Sequence, residues 1–286
     1  RVLREHYAIN QEYKPIKEDD VLFIPLKDQI LIPDSIDVVE KEFNRKEVNP
    51  DFKKEVEKML SIEEKEHLKT SYDVVGTIAI LEIDEALDHK AKEIAEILLR
   101  CNPSITTVVR KSGAHEGELR LQQYEILAGE NTLETIHKEN GCSLFITLDK
   151  VYYSARSATE RKRVAEQVKK GEEVLVMFSG AGPFVCVIAK NTEAKHVVGI
   201  ELNQEGHELA VKNAEKNKLK NVDLIQGDVK HVCAELQMKG ITFDRIAMPL
   251  PKTAEEFLPE AFMVAKDGCT IHLYDFVNEN NFPDET

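Results

Sequence analysis

The alternation of hydrophobic and polar positions predicts an α/β domain in the C-terminal half of the chain. From residue 151 onward, short apolar runs alternate with stretches whose apolar residues recur at helical spacing. The apolar runs predict five strands, at residues 173–178, 196–201, 222–226, 243–248 and 269–274. Because helices fill the gaps, we expect a parallel, doubly wound, Rossmann-like sheet, with further strands lying beyond the C-terminal end of this chain.

Two smaller α+β domains are predicted before this sheet. In residues 51–150, strand patterns surround one helical face at residues 88–101, and Asn140-Gly141 is a strong signal for a hairpin turn. Residues 1–50 combine a short strand pattern at residues 21–26 with a charged helical stretch that follows it. The chain is therefore expected to hold three domains.

Composition argues against a membrane protein and against a disulfide-stabilised one. Of the 286 residues, 42% are hydrophobic and 31% charged, and no apolar run reaches the roughly 20 residues that a membrane span needs. The five cysteines are scattered, odd in number and without a CxxC pair, so neither a disulfide framework nor a zinc ribbon is expected. The histidines are dispersed as well. We expect a cytoplasmic protein that binds no metal.

The net charge of −14 argues against a protein coated in nucleic acid, although a local patch can still bind RNA. One segment is locally basic and contains only Glu160 and Glu166 as acids. Its basic residues are Lys150, Arg156, Arg161, Lys162, Arg163, Lys169 and Lys170. A solvated helix with a positive face is the alternative interpretation of this segment.

A small-residue turn follows the first predicted strand of the parallel sheet. Gly180 and Gly182, in "FSGAGPF", allow the backbone to approach a ligand closely. The third glycine of the GxGxxG dinucleotide pattern would fall at Val185 and is absent, while Pro183 opens the next helix. The turn therefore predicts a nucleotide-like cofactor but disfavours a nicotinamide one.

Three later strands also end in residues suited to a cofactor. Glu201 can accept both ribose hydroxyls of an adenosine, a feature common to NAD and S-adenosylmethionine sites. Asp228, in "QGDV", is placed to bind an adenine amino group, and Met248-Pro249-Leu250-Pro251 forms a stiff loop. A surface acid or a plain β–α connection would explain each feature alone. Their positions on successive strand ends favour a binding edge.

The motifs resemble those of the archaeal and eukaryotic tRNA (guanine-N1)-methyltransferases, which modify the guanosine just 3′ of the anticodon. "VYYSARSATERKR", "FSGAGPF", "GIELN", "GDV" and "MPLPK" have the order and spacing of that family, and "KSGAHEGELRLQQYEILAGE" and "TIHKENG" resemble its middle domain. The resemblance covers residues 72–274. It implies S-adenosylmethionine as methyl donor, a monomer, and domains at residues 1–50, 51–150 and 151–286, the first of which touches the outer corner of the tRNA.

The resemblance also implies roles for individual residues. Glu160 would remove the proton of guanine N1, and Arg120 would stabilise the charge that develops on the neighbouring carbonyl oxygen. Arg156 and Arg161 would hold phosphates or steady the base, and Tyr152 would lie near the cofactor. The simpler interpretation of Glu160 is an i,i+3 partner of Arg163 on a solvated helix. The implied cofactor contacts are Tyr152, Arg161, Phe178, Ser179, Gly180, Ala181, Gly182, Pro183, Phe184, Glu201, Leu202, Asn203, Asp228, Val229, Met248, Pro249 and Pro251.

One position departs from the family pattern. The loop after the fourth strand commonly begins with Asn or Asp, but here Pro249 occupies that place in the catalytic loop and offers neither a side-chain acceptor nor an N–H. A base whose exocyclic amine is closed into a ring would suit such a pocket. We therefore hypothesise a bifunctional enzyme of wyosine synthesis, which methylates guanine N1 and later a ring carbon of 4-demethylwyosine to give isowyosine.

Three other functions remain open from the sequence. An aminocarboxypropyl transferase of wyosine synthesis shares the cofactor but moves a different group. A non-catalytic RNA-binding protein with a vestigial cofactor site belongs to another class. A nicotinamide oxidoreductase is the third alternative, and it would bind NAD in preference to S-adenosylmethionine.

Overall fold

The computed structural model describes residues 9–27, 37–45, 49–113, 121–250 and 253–275. The chain divides into two compact units, Arg1–Asp51 and Phe52–Thr286, which are described separately.

The N-terminal unit contains a short antiparallel ribbon. Strand β1 (Ile16–Glu18) pairs with β2 (Val21–Phe23), so the strand predicted at residues 21–26 is present but shorter. An isolated bridge joins Ile9 to Leu26. Residues 37–45, which belong to the predicted charged helical stretch, contain no helix. Of the α+β structure expected here, the described residues show the strands but no helix.

The second unit begins with two short helices and a mixed four-stranded sheet. The sheet has the order β3-β4-β5-β6, with β4 and β5 parallel and the outer pairs antiparallel. Its elements are α1 (Phe52–Glu57), α2 (Ile62–Glu66), β3 (Tyr72–Val75), β4 (Ile78–Leu81), α3 (Ala91–Cys101), β5 (Thr107–Lys111) and β6 (Tyr124–Gly129). The predicted helical face is confirmed, because α3 buries Ile94, Ala95 and Leu98 in the core of this sheet.

A separate hairpin follows, made of β7 (Glu134–Glu139) and β8 (Cys142–Thr147). Asn140 and Gly141 both have positive φ, 44° and 75°, which is the geometry of a type I′ turn. The hairpin turn predicted at this dipeptide is thus confirmed.

The β3–β4 turn packs closely against β7. The N–H of Gly76 donates to Nδ1 of His137 at 3.0 Å, and the N–H of Thr77 donates to Oγ1 of Thr135 at 2.9 Å. A Cβ on Gly76 would lie 2.0 Å from Oγ1 of Thr135, so only glycine fits this approach. The turn therefore fixes the hairpin against the mixed sheet.

The C-terminal part forms the predicted parallel sheet. Five strands run parallel in the order β11-β10-β9-β12-β13, so the direction of winding reverses between β9 and β12. The remaining elements are α4 (Ala158–Gln167), β9 (Glu173–Val176), α5 (Pro183–Asn191), β10 (His196–Glu201), α6 (Gln204–Lys216), β11 (Val222–Gln226), α7 (Val229–Met238), β12 (Phe243–Met248), α8 (Leu258–Met263) and β13 (Ala265–Leu273). Open α/β sheets bind ligands where the strand order reverses, at the carboxyl edge.

No side-chain hydrogen bond caps the start of α4. Ser157 stands at the N-cap but makes no side-chain cap hydrogen bond. A 3₁₀ turn (Ala155–Ser157) runs directly into the helix, and Ser157 has φ −80° and ψ 2° rather than the extended backbone of a capping residue. Its hydroxyl therefore does not reach the first free amides.

Two asparagines, one in α6 and one at its C-cap, complete the open edge of β8. Oδ1 of Asn213 accepts the N–H of Phe145 at 2.6 Å, and its Nδ2 donates to the carbonyl of Phe145 at 3.1 Å. Asn217 repeats this arrangement with the backbone of Ser143. Nδ2 of the fully buried Asn213 also donates to the carbonyl of Ala181, at 2.9 Å. These side-chain amides make the hydrogen bonds to β8 that a neighbouring strand would make, and they attach the hairpin to the parallel sheet.

Asn213→Ala should lower the free energy of unfolding by about 2–4 kcal/mol, because it leaves partly buried backbone groups of Phe145 and the buried carbonyl of Ala181 without the partner they have in Asn213. Urea denaturation followed by circular dichroism measures this. Glu215→Ala, at an exposed position of the same helix, is the control and should change stability by less than about 0.5 kcal/mol. Equal effects of the two substitutions would contradict the proposed edge pairing.

Candidate active site

The turn after β9 is built from residues in the left-handed backbone region. Phe178, Gly180 and Gly182 have φ values of 58°, 55° and 76°. Gly182 is the N-cap of α5, with Pro183 in the first helical turn, and a Cβ on it would lie 3.1 Å from the Cβ of Ala210. The chain thus folds tightly at the strand end and directs the first amides of α5 toward the carboxyl edge.

Glu201 lies directly beneath this turn, at the end of β10. Its carboxylate accepts the N–H of Gly180 through Oε2 and the N–H of Asn203 through Oε1, the latter at 2.8 Å. Burial raises the pKa of Glu201, and the backbone hydrogen bonds only partly oppose this effect. A carboxylate can accept about four hydrogen bonds, so capacity remains for the hydroxyls of a ribose.

Asn203 and Asp228 cap the helices on either side of the edge. Oδ1 of Asn203 accepts the N–H of Glu205 at 3.1 Å, and its Nδ2 donates to the carbonyl of Lys150 at 2.6 Å. Oδ1 of Asp228 accepts the N–H of Lys230 at 2.8 Å at the start of α7. Asn203 therefore ties the segment that leads to Tyr152 to the carboxyl edge of the sheet.

The predicted cofactor residues differ in how far they are exposed. Leu202 is exposed, and Phe178, Pro183 and Pro249 are half-buried. The side chains of Ala181, Phe184, Val229 and Met248 belong to the hydrophobic core, so these four can contribute only backbone or packing. Pro251 lies outside the described residues. Oγ of Ser179 is one of two buried side-chain atoms that find no hydrogen-bond partner within the described chain.

Tyr152 and Arg156 line a cavity of about 240 Å³ beside the mixed sheet. Tyr152 is 54% exposed, and Nε of Arg156 donates to Oδ1 of Asp73 at 2.8 Å while its guanidinium stays largely open to solvent. Tyr124 also lines this cavity, and burial raises its pKa to about 12, so its hydroxyl keeps its proton at neutral pH. Arg120, the predicted electrostatic residue, lies outside the described residues.

Arg161 occupies the interior, which corrects its expected role in holding phosphate, while its contact with the cofactor stays a prediction. Its guanidinium pairs with both oxygens of Glu139, with Nε to Oε1 at 2.6 Å, and both side chains are 3% exposed. The hydroxyl of Tyr153 donates to the same carboxylate at 2.7 Å, and burial raises the pKa of Tyr153. Arg161 thus joins α4 to the hairpin and offers no free face to RNA.

Glu160, next to Arg161 in the chain, points to a different face of the helix. Both oxygens accept from Arg163, with Nε to Oε2 and Nη2 to Oε1 at 2.7 Å each, so the i,i+3 pair is present. The hydroxyl of Tyr274, just past β13, also donates to Oε1 at 2.7 Å. The hydrogen bond from Arg163 is the main cause that lowers the pKa of Glu160. Glu160 is therefore ionised at neutral pH.

Tyr274 connects Glu160 to the glycine turn. Its ring packs against Phe184 at the start of α5, with ring centroids 6.0 Å apart. The pattern of residues did not single out Tyr274, Glu139 or Asn213. Asn213 on the buried face of α6 and Asn217 at its C-cap, four residues apart, were a signal that could have indicated an edge-capping role.

Two further expectations concern metals and membranes. Within the described ranges, no group of three or more His, Cys, Asp or Glu side chains could hold a metal ion. None of the helices that the structure describes is both long and apolar enough to cross a membrane.

The parallel sheet has the arrangement of a Rossmann-like methyltransferase. A glycine turn follows its central strand, an acid ends the next strand, and an N-capping Asp follows the third. Residues 135–286 match the TRM5/TYW2 methyltransferase domain, and residues 52–132 match the TYW2 N-terminal domain. The chain belongs to the TRM5/TYW2 methyltransferase family.

Three characterised relatives illustrate the activities in this family. The tRNA (guanine(37)-N(1))-methyltransferase Trm5b of Pyrococcus abyssi is 38% identical over 281 residues, which cover 98% of this chain and 81% of that protein. The tRNA (guanine(37)-N(1))/4-demethylwyosine(37)-methyltransferase Taw22 of Nanoarchaeum equitans is 34% identical, with coverage of 73% and 84%. A tRNA(Phe) (4-demethylwyosine(37)-C(7)) aminocarboxypropyltransferase of Methanocaldococcus jannaschii is 32% identical, with coverage of 73% and 80%.

Solved structures show the same architecture. The complex of aTrm5 and tRNALeu superposes with a TM-score of 0.71 at 33% identity, covering 96% of this chain and 83% of that one. M. jannaschii Trm5 in complex with adenosine superposes with a TM-score of 0.65 at 32% identity, covering 96% of this chain and 81% of that one. M. jannaschii TYW2 in complex with AdoMet gives 0.54 at 26% identity, with coverage of 75% and 80%. The Rossmann-like fold expected from the sequence is confirmed.

Breaking the buried ion pair should destabilise the protein strongly. Arg161→Met leaves the carboxylate of Glu139 buried without its cation, so we expect a loss of about 3–5 kcal/mol in the free energy of unfolding, measured by urea denaturation. The double variant Arg161→Met/Glu139→Leu removes both charges and should recover most of the loss. A double variant no more stable than the single one would contradict the buried-charge explanation.

Proposed function

We propose that this protein transfers the methyl group of S-adenosylmethionine to N1 of the guanosine at position 37 of tRNA, just 3′ of the anticodon, as the relative from P. abyssi does. One observation carries the proposal: an ionised carboxylate, Glu160, is joined through Tyr274 to Phe184 at the glycine turn. A proton acceptor thus lies beside the predicted cofactor edge, where N1 methylation requires one.

The residues present fit S-adenosylmethionine. Ser179 has a buried hydroxyl oxygen without a partner in the described chain, Glu201 retains acceptor capacity beneath the turn, and Asp228 uses only one oxygen to cap α7. These groups suit the amino acid, ribose and adenine parts of the donor. When bound, S-adenosylmethionine supplies a methyl group activated by its positive sulfur.

The chain's own groups would handle the proton and the developing charge. Glu160 receives the proton of guanine N1 as the nitrogen forms its bond to the methyl carbon, while the electrons of the broken S–C bond stay on sulfur. Arg120 would stabilise negative charge on the guanine carbonyl oxygen. Tyr152 would line the base pocket, and Pro249 would form the wall on the β12 side.

The RNA would contact exposed basic groups rather than Arg161. Arg156 has an exposed guanidinium whose surface pair with Asp73 a phosphate can replace at little cost. We infer that residues 1–50 contact the outer corner of the tRNA, and that residues 51–150 and 151–286 together hold the anticodon loop. One chain carries every proposed site residue, in keeping with a monomer, and none of the five cysteines forms a disulfide within the described chain, in keeping with a reducing cytoplasm.

The proposal is tested with unmodified tRNA transcripts that carry G37 or A37. Purified protein with labelled S-adenosylmethionine should methylate only the G37 transcript, and nucleoside mass spectrometry should place one methyl on N1. Glu160→Gln should lower the single-turnover rate by about 10²–10⁴-fold, because it removes the proton acceptor.

Glu166→Gln, an exposed acid on the same helix, is the matched control and should react at the wild-type rate. An unmethylated G37 transcript would overturn the proposal. A product heavier by an aminocarboxypropyl group would support that transfer instead.

Pro249 favours a second candidate function, methylation of 4-demethylwyosine at the same position. Pro249 follows β12 directly and is half-buried, and it presents no donor or acceptor side chain to a base edge. A tricyclic base without a free exocyclic amine would leave no polar group unsatisfied there. Taw22, a relative with both activities in its name, supports this possibility.

Wild-type protein should methylate tRNA carrying 4-demethylwyosine as well as tRNA carrying guanosine. Pro249→Asn should keep the guanosine reaction and lower the rate on 4-demethylwyosine by about tenfold or more, because a buried amide would lack a partner on the tricyclic base. Liquid chromatography with mass spectrometry of the nucleosides measures both products. Methylation of guanosine alone by the wild-type protein would remove the second function.

A further inference from the structure

We propose that Arg163 holds Glu160 in a resting ion pair that a phosphate of the RNA substrate opens, and that Tyr274 is the positioning residue that keeps the carboxylate in place afterwards. This inference rests on the proposed function, because it assigns Glu160 a proton to accept. It adds two residues to the site, neither of which touches the reacting atoms.

Both carboxylate oxygens of Glu160 already accept hydrogen bonds. Arg163 donates to both oxygens in the two-pronged geometry typical of arginine and carboxylate, and Tyr274 donates to one of them. A group that must accept a proton from guanine is thus already surrounded by donors. In this state its basicity is low, consistent with the lowered pKa of Glu160.

Arg163 cannot accompany the proton transfer. A guanidinium has donors only, so a protonated Glu160 would face it with an O–H that finds no acceptor and with one carboxyl oxygen that binds less strongly. The ion pair must therefore loosen before or during the reaction. Without that movement, the fixed cation keeps the pKa of Glu160 low and so disfavours the protonated carboxyl that the mechanism requires.

Exposure makes Arg163 free to move. Its side chain is 53% exposed, whereas that of Glu160 is 31% exposed. Exposed ion pairs are stabilised by only about 0–1 kcal/mol, and a phosphate binds the same two-pronged face of arginine. Arg163 also lies in the basic stretch of α4, where an RNA substrate is expected. A phosphate can therefore replace Glu160 as its partner at small net cost.

Tyr274 behaves differently from Arg163. Its ring is half-buried against Phe184, and it follows directly on β13, which pairs in parallel with β12 in the sheet. A phenol hydroxyl is both a donor and an acceptor. It can therefore donate to the carboxylate before the reaction and accept from the carboxylic acid after it. Tyr274 can hold Glu160 in both protonation states.

The other charged groups near Glu160 do not replace Arg163. His272 lies on β13 near the same carboxylate, and burial, with Arg245 and Arg163 next to it, lowers the pKa of its imidazole. Nε2 of His272 faces Nη1 of Arg245 at 2.8 Å, which requires that nitrogen to accept and the ring to be neutral. Arg163 is thus the cation whose departure changes the basicity of Glu160, with Tyr274 and His272 as its remaining neighbours.

The experiment measures the proton affinity of Glu160 directly. Protein labelled with ¹³C at the glutamate δ-carbon is titrated by NMR, and the Glu160 signal is assigned by its loss in Glu160→Gln. The titration is run on free protein and on protein saturated with S-adenosylhomocysteine and G37 tRNA. In wild type, RNA should raise the proton affinity of Glu160 roughly tenfold or more, because the cation leaves it.

Two substitutions separate the roles. Arg163→Gln should show the higher proton affinity already in the free protein, with little further change when tRNA binds. Lys162→Gln, its exposed neighbour, removes the same charge but should titrate as wild type. Tyr274→Phe should bind tRNA normally but lower the single-turnover rate roughly tenfold and alter the acid limb of its pH profile.

Three results would overturn the inference: a Glu160 titration in wild type that tRNA leaves unchanged, an Arg163→Gln protein that titrates as wild type when free, or a Tyr274→Phe protein with the wild-type rate and pH profile. The titrations need no methyl transfer, so they give an answer even if the tRNA is never methylated. Failure of the proposed function would instead appear as an unmethylated G37 transcript with wild-type protein.

Discussion

The proposed chemistry depends first on the buried ion pair between Arg161 and Glu139. Both charges are almost entirely removed from water, so each is tolerated only because the other, and the hydroxyl of Tyr153, is in place. The pair fixes the first turns of α4 to the β7–β8 hairpin. Since Glu160 precedes Arg161 by one residue, the position of the proposed base follows from this contact.

Helical geometry explains how one short helix serves two purposes. Successive residues of an α-helix point about 100° apart, so Arg161 and Val164 enter the core while Glu160 and Arg163 share the outer face. The core-facing residues anchor the helix, and the outer residues are left to interact with one another and with a polyanion. A basic sequence segment thus contains one structural arginine and two, Arg156 and Arg163, that solvent can reach.

Much of the fold follows from the sequence because strand patterns and turn residues are local signals. The limits of β10, β11 and β12 agree with the predicted ones, and Asn140-Gly141 turns as expected. Strand β13 starts four residues earlier than predicted, because Ala265 already pairs with Phe243; the register then shifts across Asp267 and Gly268 before Thr270 pairs with Arg245. Gly268 has a φ of 79°, so the local turn preference is expressed there as an irregularity within the strand.

Less of the candidate site could be predicted from the sequence. The turn residues and Glu201 could be found because a close backbone approach and an acid at a strand end are readable in a linear pattern. The burial of Arg161 could not be predicted, since its partner Glu139 lies 22 residues away and both are ordinary surface residue types. The same holds for Tyr274, which meets Glu160 across 114 residues of chain.

The asparagine contacts of α6 have a consequence for how this chain can be divided. Because Asn213 reaches both the hairpin backbone and the carbonyl beside the glycine turn, the hairpin belongs mechanically to the parallel sheet. A shortened protein starting near residue 150 would lack the hairpin to which Asn213 hydrogen-bonds. It would also leave Arg161 without its partner Glu139. An excision meant to preserve the catalytic half should therefore begin before β7, close to where the family match itself starts at residue 135.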